Sequence, residues 1–329
     1  MGGFLYKVGC GYCLKNIFLI VLKSCRGDFV NENKYTLKKD TLIFDSDMDT
    51  IYIISKIPYK KIKNVVLPNK LNDFPSIVLE KLTNLESVLI SKDNPNYTSL
   101  NGVLFNKDLS KIVFYPPGKR ETEYTVPNSV KEIAVNAFNR SRNLENVYFP
   151  DDLNVIGSLS FCQCSNLKSV KFPPGLEIVE SFAFANCSSL QDIVLNNGLT
   201  YIGYNAFLGC ESLSDVVIPD SVKTIGWNLF HGCKSLRSVT FGKGIVEIPA
   251  TIFNKCSNLK KMVFKGSVEK IHHDALGDCN INDLKVYCND NPVVYDWAKE
   301  NGLKRVCLKS KIENFLENCL DKDISQDIS

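Results

Sequence analysis

Apolar residues return along the middle of this chain with a step of 23. One column holds Leu144, Leu167, Leu190, Leu213, Leu236 and Leu259. A second holds Val147, Val170, Ile193, Val216, Val239 and Met262, and a third Phe149, Phe172, Leu195, Ile218, Phe241, Phe264 and Tyr287. Together they read L-x-x-V-x-F, and the alternation in its second half is the period of a strand with one buried face. A turn follows, with Pro150, Pro173 and Pro219 at equivalent places, because proline fixes φ and offers no donor at a strand exit. Apolar residues resume at Leu153, Leu176, Leu199, Val222, Ile245 and Val268, and again at Ile156, Val179, Ile202, Ile225, Ile248 and Ile271, which marks an extended return segment.

A phenylalanine closes each unit, at Phe138, Phe161, Phe184, Phe207, Phe230 and Phe253. Three residues after five of them stands a cysteine, at Cys164, Cys187, Cys210, Cys233 and Cys256, and Cys279 keeps the same step. The segment around each Phe and Cys has room for tight 3₁₀ or α turns. Self-similarity at this period predicts a solenoid: strand, turn, return and helical turn stacked into a curved parallel sheet, with each unit walled by its neighbours. Stacked equivalents point the same way, which opposes the geometry of a disulfide and makes the thiols a buried structural ladder.

The units running from Val126 to Phe138 and from Ile218 to Leu236 resemble the 23-residue leucine-rich repeat of the BspA-like, or treponemal, class. The stretch Asn94 to Asp108, continuing through Tyr115-Pro116-Pro117-Gly118-Lys119, resembles the insertion common between repeats of that family. The likeness extends from Val65 to Tyr287. It implies a leucine-rich repeat solenoid on a surface or secreted protein of bacteria or parasitic protists. Its use would be adhesion or protein binding, with a host or extracellular-matrix protein as partner. The rival on the same fold is an intracellular, cytoplasmic scaffold for protein interactions.

On this reading residues 1–28 are a signal-like or apolar N-terminal segment, 29–67 a cap with a partial repeat, and 68–90 the first repeat. The insertion takes 91–126, seven repeats take 127–287, the C-terminal cap takes 288–320, and 321–329 form a polar tail. Lys7 and Lys15 precede the apolar run Ile17 to Leu22, which imitates a secretion signal, but Lys23 and Arg26 interrupt the cleavage region. An apolar part of the cap remains the alternative, and the run is too short to span a membrane. Lead-in strands are expected at Thr41 to Phe44 and Thr50 to Ile54. At the other end Asn291 and Pro292 open a helix through Trp297 and Ala298, followed by a strand near Arg305 to Leu308 and an apolar helical face at Ile312, Phe315, Leu316, Cys319 and Leu320.

The candidate partner surface is set by the x positions of the strand, which face away from the core. The last of them gives Leu89, Tyr148, Lys171, Val194, Val217, Thr240 and Val263, and the earlier ones include Asp192, Asp215, Arg237, Lys260 and Lys261. Val194, Val217 and Val263 make an apolar stripe with acidic and basic rims, as protein-contacting surfaces have. The plain alternative is that β-branched residues simply suit strands.

Composition narrows the remaining classes. A net charge of +3 over 329 residues is too small to argue for nucleic acid. Neither a nucleophile elbow nor a phosphate loop nor a zinc-protease helix is present, so no catalytic residue and no cofactor is assigned. Cys10 and Cys13 have the gap of a metal knuckle, but no second such pair follows, and no metal is assigned either. His272 and His273 are read as exposed turn residues. The sequons at Asn96, Asn139 and Asn186 would carry sugar only in an exported eukaryotic protein.

Overall fold

The computed structural model describes residues 35–51 and 57–307. Cys10, Cys13, the apolar run at 17–22, most of the Thr50 to Ile54 strand and the terminal segment after residue 307 lie outside them.

The chain winds as a leucine-rich repeat solenoid with two parallel sheets flanking one elongated core. The first sheet takes the L-x-x-V-x-F segments, at Asn146–Tyr148, Ser169–Lys171, Asp192–Val194, Asp215–Val217, Ser238–Phe241, Lys261–Phe264 and Lys285–Cys288. As far as Lys261–Phe264 each register step within a paired run is 23 residues, as in Val170 beside Ile193 and Val239 beside Met262. The second sheet takes two-residue return strands, from Glu132–Ile133 through Val155–Ile156, Ile178–Val179 and Tyr201–Ile202 to Thr224–Ile225, resuming at Glu247–Ile248 and Lys270–Ile271. Between the sheets the Leu, Val and Phe columns fill a single buried cluster.

The phenylalanines stack ring on ring. Centroids lie 4.7 Å apart for Phe138 and Phe161, 5.1 Å for Phe161 and Phe184, and 6.1 Å for Phe230 and Phe253, with planes within 13° of parallel. Tyr115 caps the column, stacked 4.7 Å from Phe138. Around each ring the chain makes 3₁₀-type turns rather than an α-helix: Ala185 N–H donates to Phe182 O and Cys187 N–H to Phe184 O. Two residues per turn adopt positive φ, including Asn136, Leu159, Phe182, Asn205, Asn228 and Thr251 in one column. Arg140, Gln163, Asn186, Gly209, Gly232 and Lys255 form the other.

The insertion is a wall between two cores. Tyr97–Leu100 and Val103–Asn106 form a hairpin turning at Asn101 and Gly102, both at positive φ as a tight two-residue turn demands. Val103, Phe105 and Ile112 face the main core, whereas Leu104 and Phe114 face an N-terminal core with Leu42, Val65, Leu85 and Val88. Alternation along one strand thus serves both sides. The N-terminal strand Thr41–Phe44 pairs antiparallel with Tyr35–Lys38 and parallel with Asn64–Val66, which continues to Ser87–Leu89.

The far end carries one correction. Phe264 pairs with Cys288 and Val263 with Tyr287, a step of 24. One extra residue in the last unit moves Tyr287 out of the Phe column to the outer face and puts Cys288 in the core. A one-residue slip exchanges the faces of a strand. Beyond it, helix α1 (Pro292–Glu300) buries Val294, Trp297 and Ala298, capped by the Asn291 side chain accepting from Val294 N–H. Lys304–Cys307 then closes the sheet parallel to Lys285–Cys288.

Candidate protein-binding face

The outward positions of the first sheet form one continuous row of side chains. Tyr148, Val194 and Val217 are 51, 55 and 58% exposed, values that leave three large apolar groups in water. Lys171, Asp192, Asp215, Arg237 and Lys261 are exposed as well, while Thr240 and Val263 are half-buried. Val263 is therefore the weakest member of the apolar stripe. With strands spaced about 4.8 Å apart, five steps separate Tyr148 from Val263 by roughly 24 Å. The candidates lie in a row and do not converge on a point.

Individual contacts tie parts of the row together. Tyr148 Oη lies 3.4 Å from Glu123 Oε1, and Lys261 Nζ sits 5.4 Å above the Tyr287 ring. Lys168 and Glu145 form an exposed ion pair at 2.5 Å, of a kind that contributes about 0–1 kcal/mol.

In the middle of the row the sheet opens. Ser169–Lys171 pairs with Asp192–Val194, and Asp215–Val217 pairs with Ser238–Phe241, but Asp192–Val194 and Asp215–Val217 are not paired with each other. Phe172 N–H reaches Val194 O and Ile218 N–H reaches Thr240 O. The corresponding bond is missing from Leu195, as it is from Phe149 in a paired step, and Ser214 N–H spans a long 3.4 Å to Gln191 O where its equivalents lie at 2.7–2.9 Å. The return strands Tyr201–Ile202 and Thr224–Ile225 stay paired, so the coils part only on the outer sheet. Asp192 and Asp215 occupy the same position on these two strands, and like charges directly opposite one another destabilise a strand pair. Leu195 also stands where most other units carry phenylalanine, which leaves less side chain to hold the coils together.

A groove of about 630 Å³ lies at this opening, lined by Ile193, Val194, Asp215, Val217, Asp220 and Lys265 among others. Sequence reading found Val194, Asp215 and Val217. It did not find Asp220 or Lys265, because the turns after each strand vary and no period marks them. Tyr148 and Lys171 lie on one side of the groove, and Arg237, Thr240, Lys261 and Val263 on the other.

Behind the face the cysteine ladder supplies rigidity. The thiols of Cys164, Cys187, Cys210, Cys233 and Cys256 donate to the carbonyls of Phe138, Phe161, Phe184, Phe207 and Phe230 at 3.1–3.3 Å. Cys279 departs from the pattern and donates to Cys256 O, where the last unit lengthens. All six are unbridged. Burial pushes the thiols of Cys164 and Cys210 up to about 12, which suppresses the reactive thiolate.

A family model for the BspA type leucine-rich repeat region matches in six copies over residues 118–200 and 177–304, more than half of the chain. The chain belongs to the BspA-type leucine-rich repeat family. Two solved structures show how this BspA-type fold compares. A leucine-rich repeat protein from Eubacterium ventriosum is 26% identical, with a TM-score of 0.64 over 67% of this chain and 60% of that one. The pneumococcal vaccine antigen PcpA is 26% identical, with a TM-score of 0.55 over 75% of this chain and 56% of PcpA. This BspA-type chain thus spans little more than half the length of those two proteins. A comparison with curated protein sequences gives no match. Leucine-rich repeat solenoids are typically non-enzymatic scaffolds, and nothing among the described residues points positively to catalysis. No helix among the described residues is long and apolar enough to cross a membrane.

Proposed function

We propose that this chain is a non-enzymatic protein-binding module that captures a polypeptide partner on the outer sheet, across the opening between Val194 and Val217. The observation that supports it most directly is the juxtaposition there of two exposed valines, unpaired backbone groups and a groove with an acidic rim. Apolar area surrounded by charge is what transient protein contacts use. Likeness to a pneumococcal vaccine antigen favours a surface or secreted setting, with host or matrix proteins as the class of partner. The intracellular scaffold is the competing reading, and the mature N-terminus with the cell fraction of the native protein separates the two.

The test is capture of a partner from host extracellular matrix by the full chain and by a Val194→Asp, Val217→Asp, Arg237→Glu variant. Loss of capture with an unchanged thermal midpoint supports the proposal. Undiminished capture by the folded variant refutes it.

A further inference from the structure

We propose that His272, His273 and Asp274 form a zinc site on the return side of the last repeat, away from the outer sheet. Their candidate ligand atoms, one from each residue, all lie within 4.8 Å of one another. Two imidazoles and a carboxylate match the nitrogen and oxygen ligands that borderline cations such as Zn²⁺ accept, and three protein ligands leave a fourth position open.

Three observations go beyond proximity. The Asp274 backbone N–H lies 3.4 Å from His272 Nδ1. The same nitrogen abuts the Asp274 carboxylate. Asp274 Oδ1 is shut off from solvent, with that imidazole nitrogen as its polar neighbour. A shielded carboxylate oxygen beside an imidazole nitrogen is an arrangement that a bound cation satisfies. Second, the His272 and His273 rings lie 4.4 Å apart at 31°.

Third, the backbone under the cluster is held in place. His272 N–H donates to Ile248 O at 2.9 Å, Ala275 N–H to His272 O at 3.0 Å, and Thr251 N–H to Asp274 O at 3.1 Å. Earlier units carry Gly203-Tyr204-Asn205, Gly226-Trp227-Asn228 and Pro249-Ala250-Thr251 at these places. All three donor groups therefore enter together in a single coil. Preorganised ligands on a fixed backbone lower the entropy lost on binding.

The ladder thiols do not compete, being buried and protonated, but Cys10 and Cys13 could take up zinc on their own. The experiment therefore uses the full chain with Cys10→Ser and Cys13→Ser as its parent, titrated with zinc chloride near pH 7.5 by calorimetry and equilibrium dialysis. The expected result is one zinc per chain, with affinity falling roughly tenfold or more in His273→Ala and in Asp274→Asn. Thermal midpoints without metal check that both variants fold. Zinc should raise the parent's midpoint and leave the variants' unmoved. Absence of zinc uptake by the parent overturns the proposal, leaving an ordinary His272–Asp274 ion pair. Equal uptake by parent and variants overturns it too.

Discussion

Cys187 donates its thiol hydrogen to the carbonyl oxygen of Phe161, 3.1 Å away in the preceding coil. The same bond recurs at four further positions, so a weak donor is repeated until it becomes a structural seam. Alanine at Cys187 leaves that carbonyl with only the Cys164 N–H, 3.2 Å away, and opens a small cavity. Cys187→Ala should lower stability by about 1–2 kcal/mol, read from the denaturant midpoint at constant slope. An unchanged midpoint would mean the thiols only fill space.

The ladder also predicts how stability depends on pH. The Cys164 and Cys210 thiols rise from an ordinary 9.0 to about 12 in the folded chain. Between those values the unfolded chain has lost protons that the folded chain keeps, so stability falls as pH rises. Stability is complete below pH 9 and erodes from there toward 12. Replacing Cys164 and Cys210 with alanine should flatten that alkaline decline in a series of thermal melts. The thiols of Cys164, Cys187, Cys210, Cys233 and Cys256 should also resist thiol reagents at neutral pH in the unreplaced protein.

Like charges at Asp192 and Asp215 predict how the opening between their strands can be closed. Asp215→Ser removes one of two like charges and restores the residue type found at Ser169 and Ser238 in the same column. It should stabilise the chain by about 0.2–1 kcal/mol and slow amide exchange at Leu195 toward the rate of Ile218. Continued fast exchange at Leu195 would assign the opening to the smaller side chain at that position.

Lys255 adopts φ +62° at a place where two other units carry Gly209 and Gly232. A side chain there crowds the following carbonyl, and glycine does not. Since Lys255 is exposed, Lys255→Gly gives up little packing and should raise stability by about 0.5–1 kcal/mol. The reverse design fails at Gly226, where an added Cβ would lie 2.1 Å from Tyr204 N. Gly226→Ala should cost at least 1–3 kcal/mol in the same thermal assay, as overpacking does.

The repeat itself was legible in the chain, because stacking demands the same residue type at the same depth in every unit. The Leu, Val and Phe columns announced the strand, and the parallel registers follow their step of 23. Asn291 and Pro292 announced helix α1 through the chemistry of its first turn. The outward row at Tyr148, Lys171, Val194, Val217 and Thr240 was legible for the same reason, since alternation assigns each strand position to a face.

Other features depended on what lies beside what. The extra residue before Tyr287 leaves no mark in composition, yet it exchanges Tyr287 and Cys288 between core and surface, because only the partner strand defines the register. The parting of the coils at Asp192 and Asp215 needs two charges 23 residues apart to become neighbours. The hairpin at Val103 to Asn106 reads locally as one apolar strand, and only packing shows its two faces serving different cores. His272, His273 and Asp274 are adjacent in the sequence, but a turn held by Ile248 and Thr251 is what brings their ligand atoms together. Periodicity governs whatever repeats in a solenoid, and each departure from the period takes its meaning from the neighbouring coil.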